Sequence, residues 1–84
     1  MPKTVLKDFY ATWCQPCKMI APIIEEIKKE KPDLVVEKID VDAKPELANQ
    51  YGVMSIPTLI VEKDGKEVNR ITGAVAKSKI LAIL

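Results

Sequence analysis

The chain has 84 residues, which suits one domain near the lower size limit for a single hydrophobic core. Hydrophobic residues make up 48% of it and charged residues 30%, and thirteen Lys and Arg against twelve Asp and Glu leave a net charge of +1. Because the charges are interspersed, we expect no basic stripe for nucleic acid, and no apolar run approaches the ~20 residues of a membrane span. The sequence predicts one domain over residues 1–84, with neither nucleic acid nor a membrane as partner.

The first ten residues, MPKTVLKDFY, contain neither an apolar signal region nor a small-residue cleavage site. We therefore expect no secretory signal there and a cytoplasmic location. In that reducing compartment a permanent structural disulfide is unusual, and a pair of cysteines is more often catalytic or metal-binding.

The first part of the chain has the pattern of a strand followed by a helix. Residues 4–11 (TVLKDFYA) alternate in polarity and are rich in β-forming types, which favours a strand. The apolar positions that follow have the i, i+3, i+4, i+7 spacing of one helix face, at Ile20, Ile23, Ile24 and Ile27. Pro32 disfavours helical geometry in the residue before it, so this helix should end near Lys31.

A second strand and a short helix come next. Residues 34–41 (LVVEKIDV) predict a strand whose apolar positions suit burial. Residues 45–51 predict a short helix, with Pro45 in its first turn and Gly52 placed to stop it.

The last third of the chain predicts a hairpin and a closing helix. Residues 58–63 have the composition of a third strand, and Asp64-Gly65 predicts a tight turn into a fourth strand at about 67–71. Apolar residues from Val75 onward predict the final helix. The order β-α-β-α-β-β-α indicates an α/β fold with a four-stranded mixed sheet, parallel in its crossover half and antiparallel in its hairpin half. Helices on both faces would bury the apolar stripes.

The chain's two cysteines, Cys14 and Cys17, lie in the sequence WCQPCK between the first strand and the first helix. A zinc site usually has four ligands, and the chain has no third Cys and no His, which disfavours a metal site. An inert disulfide closing so small a ring would constrain the unfolded chain little.

The position of the two cysteines indicates a redox pair rather than a metal site or an inert disulfide. The CxxC sequence lies where a strand ends and a helix begins. The first turn of a helix offers unpaired N–H groups and the positive end of the dipole, which favour a thiolate at Cys14. Cys17 would lie one turn further on, more buried and protonated, and so suits a resolving thiol. Pro16 fits a first turn and stiffens the loop between the sulfurs.

Residues 7–23 (KDFYATWCQPCKMIAPI) resemble the active-site strand, loop and helix of the thioredoxin family. Three later segments match in order: EKIDVD at 37–42, YGVMSIPTLIVEKDGK at 51–66 and ITGAV at 71–75. The strand and helix that full-length thioredoxins carry before this point have no counterpart here, so the chain is similar to compact members of the family. The resemblance implies the minimal thioredoxin fold and a thiol–disulfide oxidoreductase that reduces disulfides in other proteins.

The resemblance also implies catalytic roles for four residues. Cys14 occupies the position of the attacking nucleophile and Cys17 that of the resolving thiol. Asp8 matches a buried carboxylate beneath the pair, whose raised pKa would let it accept the proton that leaves Cys17; the alternation of the strand alone fits a solvent-facing Asp8 equally well. Lys38 matches the lysine near that carboxylate, although the pattern also fits a solvated strand lysine.

A substrate groove is implied next to the cysteines. Pro57 matches the proline whose preceding peptide bond is cis, which would place the backbone of Ile56 beside Cys14 for pairing with an extended substrate segment. The residues expected to contact substrate are Trp13, Gln15, Pro16, Ile56, Pro57, Gly73 and Ala74. Gln15 stands where thioredoxins usually have Gly, so its side chain would lie within reach of a substrate or reductase.

The expected partners are disulfide-containing proteins and a separate electron donor of the thioredoxin-reductase type, since the chain has no nucleotide-binding glycine motif. We expect a monomer without metal or bound cofactor, because the dithiol itself is the working group. Three alternatives remain: a glutaredoxin-like transferase that uses glutathione or another small thiol, a protein-binding module switched by its redox state, and a metal or cluster carrier.

Overall fold

Residues 3–84 are described by the structure, a computed structural model. The elements follow in the order β1 (Thr4–Tyr10), α1 (Gln15–Glu30), β2 (Val35–Asp40), α2 (Pro45–Gln50), β3 (Thr58–Lys63), β4 (Lys66–Thr72) and α3 (Lys77–Ile83). The predicted order is confirmed, and the predicted ends differ from these by one or two residues, as is usual where helices and strands fray. No helix within residues 3–84 is long and apolar enough to cross a membrane.

The strands form one mixed sheet in the order β2-β1-β3-β4. β1 pairs in parallel with β2, with Asp8 opposite Lys38, and antiparallel with β3, with Asp8 opposite Leu59. β3 and β4 form the antiparallel hairpin. The crossover half is thus parallel and the hairpin half antiparallel, as predicted, and β1, which leads into the loop with Cys14, lies inside the sheet.

The hairpin turn between β3 and β4 consists of Asp64 and Gly65. Both have positive φ angles, 55° for Asp64 and 77° for Gly65. Two consecutive residues in this region are characteristic of the type I′ turn, which matches the twist of the paired strands and favours Asp-Gly. The dipeptide alone therefore predicted this connection correctly.

Helices cover both faces of the sheet. On the α1 face, which α1 and α3 cover, the buried core consists of Leu6, Ile20, Ile24, Ile27, Leu59, Val61 and Ile80. On the α2 face, Phe9, Ile39 and Ile60 are buried, and Leu47 and Ala48 of α2 pack against them. The isoleucine stripe of α1 is buried as predicted, except that Ile23 is only partly covered.

Beyond this second cluster the α2 face carries charged residues. Lys7 of β1 donates to Glu37 of β2 at 2.6 Å and lies 3.7 Å from Glu62 of β3. The Tyr51 hydroxyl donates to Glu62 at 2.8 Å, and Arg70 of β4 donates to the Tyr51 carbonyl at 2.8 Å. Hydrogen bonds and ion pairs therefore link all four strands on this side, whereas the buried core on the opposite side consists of apolar residues.

Candidate active site

The two cysteines lie at the beginning of α1, beyond the end of β1. Cys14 is the N-cap: its backbone is extended, its carbonyl accepts from the Lys18 N–H at 3.2 Å, and its sulfur accepts from the Cys17 N–H at 3.2 Å. Pro16, in the first turn, has no N–H that would need a partner there. The Cys14 sulfur thus lies at the positive end of a sixteen-residue helix, where a negative charge is stabilised.

Cys14 and Cys17 are joined by a disulfide, with their Cα atoms 5.3 Å apart. Both are buried, with 4% of Cys14 and 6% of Cys17 exposed, and they share an apolar cluster with Ala11 and Ile56. The expected greater burial of Cys17 is absent in this form, because the bond holds both sulfurs in the same cluster.

Asp8 lies on the α1 face of the sheet and is only 3% exposed. Its Oδ1 atom has no hydrogen-bond partner among residues 3–84. Burial raises the pKa of this carboxyl to about 6, and the positive charge of Lys38 offsets part of that rise. A buried carboxyl with an unpaired oxygen is unusual unless it has a function, since such a group destabilises the folded state.

A cleft of about 230 Å³ leads to this carboxyl. Asp8 and Cys17 both line it, as do Tyr10, Lys18 and Lys38. The structure therefore brings the carboxyl and the second cysteine to one cavity, in which a water molecule has room to carry a proton between them.

Lys38 is exposed, and its ammonium lies over an aromatic ring. Its Nζ atom is 5.3 Å from the centroid of the Tyr10 ring, which is within the range of a cation–π contact. The lysine thus acts on Asp8 through its charge, and its close contact is with Tyr10.

Trp13 and Gln15, on either side of Cys14, are exposed. The Trp13 side chain is 67% exposed, and its indole Nε1 donates to the Asp42 carboxylate at 2.7 Å. This bond holds the ring on the surface beside the cysteines. The sequence prediction assigned no role to Asp42. The available signal was its position just after β2, because the parallel pairing of β1 and β2 brings that end close to the end of β1.

The Ile56–Pro57 peptide bond is cis, as expected. Ile56 is partly buried and packs against the cluster that contains both cysteines. The Pro57 carbonyl accepts from the Gly73 N–H at 2.8 Å, and Gly73 has a φ of 98°, where a side chain would be strained. These contacts join the two loops expected to line the groove, and Ala74 is exposed beside Gly73.

No group of three or more Cys, Asp or Glu side chains within residues 3–84 is arranged to hold a metal ion. Of the residues predicted from sequence, Cys14, Cys17 and Ile56 share one cluster, and Asp8, Cys17 and Lys38 line one cleft.

Comparison with known proteins gives consistent matches. The family model described as Thioredoxin matches residues 1–84. A thioredoxin of Mycobacterium tuberculosis is 58% identical over 80 residues, which cover 94% of this chain and 69% of that protein. The bifunctional thioredoxin reductase/thioredoxin of Mycobacterium leprae is 52% identical over 80 residues, covering 94% of this chain and 18% of that protein.

Solved structures agree with the fold prediction. A thioredoxin from Nicotiana alata superposes with a TM-score of 0.92 at 40% identity, covering 98% of this chain and 70% of that one. The predicted minimal thioredoxin fold is thereby confirmed. With these matches along almost its whole length and a CxxC disulfide at the start of α1, the chain belongs to the thioredoxin family and is a thiol–disulfide oxidoreductase, a protein-disulfide reductase.

Proposed function

We propose that Cys14 is the attacking cysteine and Cys17 the resolving one. The Cys14 thiolate attacks one sulfur of a substrate disulfide, which forms a mixed disulfide and releases the other substrate sulfur as a thiolate that takes a proton from water. Cys17 then loses its proton and attacks the Cys14 sulfur. The Cys14–Cys17 disulfide forms, the second substrate sulfur leaves as a thiolate that takes a proton from water, and two electrons have passed to the substrate.

The observation that carries this assignment is the hydrogen bond from the Cys17 N–H to the Cys14 sulfur at 3.2 Å. Cys14 is the N-cap of α1, so its sulfur receives an N–H bond and the field of the helix dipole together. A thiolate is stabilised by both, which favours Cys14 as the nucleophile.

In the same proposal Asp8 accepts the proton that Cys17 loses. Its support is the cleft that both residues line and the buried Oδ1 atom, for which residues 3–84 offer no hydrogen-bond partner. With a pKa of about 6 the carboxyl is mostly ionised at neutral pH and is basic enough to take a proton, the match that general acid–base catalysis needs.

The proposed substrates are disulfide-containing proteins, bound in an extended form along Ile56 and Pro57 beside the exposed Trp13. Gln15, Pro16, Gly73 and Ala74 complete the proposed contact surface. The proposed electron donor is a separate thioredoxin reductase, in line with the M. leprae relative that combines both activities. We further propose that the protein acts as a cytoplasmic monomer that carries electrons through its dithiol, without another cofactor.

Trapping of the mixed disulfide tests the assignment. Cys17→Ser should form a stable covalent adduct with insulin, visible on a non-reducing gel, because nothing resolves the first intermediate. The matched control Cys14→Ser should form far less of it, and the wild type should reduce insulin catalytically with a reductase. Adduct formation by Cys14→Ser alone would reverse the two roles, and a wild type without turnover would indicate a binding module. Turnover with glutathione as fast as with thioredoxin reductase would favour the glutaredoxin-like alternative.

A further inference from the structure

Lys38 contacts Tyr10, although the sheet places it side by side with Asp8. Lys38 on β2 lies directly opposite Asp8 on β1, and neighbouring strands are about 4.8 Å apart. Its four-carbon side chain is therefore long enough to reach the carboxyl. Yet the Lys38 ammonium lies 5.3 Å from the Tyr10 ring centroid, and the Asp8 Oδ1 atom has no partner among residues 3–84.

Tyr10 is well placed to hold the ammonium. It lies two residues after Asp8 on the same strand, so both side chains project from the same face, and both line the cleft. A cation over an aromatic face is stabilised while it keeps much of its hydration. An ion pair with the buried Asp8 would instead require the ammonium to lose water.

We propose that Tyr10 is a positioning residue of the reaction: its ring holds the Lys38 ammonium at the mouth of the cleft, away from the Asp8 carboxyl, so that Asp8 remains able to take and return a proton near neutral pH. This inference rests on the proposed role of Asp8 as the proton acceptor. It gives Tyr10, which sequence reasoning left without a role, a function distinct from that of the cysteines.

The charges around Asp8 determine the direction of the expected effect. The cleft residues able to carry charge near Asp8 are Lys38 from β2 and Lys18 and Cys17 from α1, with Tyr10 on β1 itself, while β3 presents the apolar Leu59. Burial raises the pKa of Asp8, and the Lys38 charge lowers it. An ammonium released from the ring and moved toward the carboxyl would favour the carboxylate further, so loss of the ring should lower this pKa.

The test is a carbon-13 NMR titration of the Asp8 carboxyl in the oxidised protein, in which neither cysteine titrates. Tyr10→Leu should raise the acid dissociation constant of Asp8 about threefold, the size of an exposed cation–π contact, whereas Tyr10→Phe, which keeps the ring, should leave it unchanged. In a Lys38→Met background Tyr10→Leu should have no effect. In a Lys18→Met background, the control for the other lysine of the cleft, the threefold change should persist.

Two results would overturn the proposal: no change in Tyr10→Leu, or the same change in the Lys38→Met background, which would mean that the ring acts by excluding water. A change in the acid dissociation constant of Asp8 in Tyr10→Phe would contradict the proposal as well. A measurement on the wild type needs no variant to fold: the Lys38 ε-methylene protons should be shifted upfield by the Tyr10 ring relative to those of Lys18, and equal shifts would refute the contact.

A kinetic measurement separates this proposal from the one on which it rests. In Tyr10→Leu the pH midpoint of the resolving step should move to lower pH. The shift should correspond to the same threefold change in the acid dissociation constant of Asp8 that the titration measures. If Asp8→Asn resolves mixed disulfides at the wild-type rate, the proton-acceptor role of Asp8 fails, and the positioning role of Tyr10 fails with it. A titration that matches expectation would then still establish the Tyr10–Lys38–Asp8 coupling.

Discussion

Lys7 and Asp8 are neighbours in β1, and their side chains project from opposite faces of the same sheet. Lys7, on the α2 face, contacts Glu37 at 2.6 Å and Glu62 at 3.7 Å and keeps 13% of its side chain exposed. Asp8, on the α1 face, is buried under α1, and one of its oxygens has no hydrogen-bond partner in the part of the chain that the structure describes. Two adjacent charged residues therefore have opposite surroundings.

The two residues differ in how the fold compensates a charge that is removed from water. The ordinary rule is that a charge removed from water is paired, and the residues around Lys7 obey it: burial lowers its pKa, but the Glu37 hydrogen bond and the nearby charges outweigh burial, so its pKa is raised. Asp8 does not follow the rule. Its pKa rises to about 6 mainly because of burial, so its ionised form destabilises the folded state.

Replacement of Asp8 should give the largest effect on stability. The Asp8 carboxyl has an ordinary pKa of 3.8, which applies to the unfolded chain, and a pKa of about 6 in the folded protein. The unfolded chain therefore releases this proton at lower pH than the folded one. The free energy of unfolding of the wild type should thus fall as the pH rises from about 4 to 6 and stay low above that. Asp8→Asn should lack this slope and be more stable by about 3 kcal/mol at pH 8 in the oxidised form.

Urea unfolding at pH 4 and pH 8 measures this prediction. Asp33→Asn, at an exposed aspartate before β2, is the matched control and should keep the wild-type slope. If the free energy of unfolding changed equally with pH in Asp8→Asn and the wild type, ionisation of the buried carboxyl would not destabilise the fold. The contrast with Lys7 would then disappear.

Replacement of Lys7 should have a smaller effect of opposite sign. Lys7→Met keeps the apolar stem but leaves Glu62, only 12% of whose side chain is exposed, without its cation. We expect a loss of about 1 kcal/mol in the free energy of unfolding at pH 7, since the Tyr51 hydroxyl still donates to Glu62. Adding Glu62→Gln should recover part of the loss. A double variant as unstable as the sum of the two single ones would show that Lys7 and Glu62 do not interact.

The exposed pair between Lys28 and Glu25 should give the smallest effect. Their charged atoms are 3.7 Å apart on the wet side of α1, with 46% and 56% of the side chains exposed. Because solvent screens such a pair, Lys28→Gln should change the free energy of unfolding by less than about 0.5 kcal/mol. If Lys28→Gln lowered the free energy of unfolding as much as Lys7→Met, burial would not explain the difference between the two ion pairs.

Much of the architecture was predictable from local patterns. The isoleucines of α1 repeat with the helical period, Asp64-Gly65 has the composition of a type I′ turn, and the CxxC sequence between a strand and a helix indicated the chemistry. Each of these signals depends on a few neighbouring residues, so it can be detected without knowledge of the rest of the fold.

The surroundings of Asp8 were not predictable in the same way. β1 has a charged residue at two successive positions, so its alternation indicates no preferred buried face, and only the resemblance to a family favoured burial of Asp8. The contacts of Trp13 with Asp42 and of Lys38 with Tyr10 join residues 29 and 28 positions apart, beyond the reach of any local pattern.

The sequence by itself determined the element order, the hairpin and the place of the reactive cysteines, because periodicity, turn chemistry and the start of a helix are local properties of the chain. Only the tertiary structure decided that the Asp8 Oδ1 atom is buried with no partner among residues 3–84, that Asp8 shares a cleft with Cys17, and that Lys38 lies on Tyr10. These features depend on which strands become neighbours and which helix covers them. The pKa of a carboxyl depends on the water and charges around it, and the packing of β1 between β2, β3 and α1 sets both.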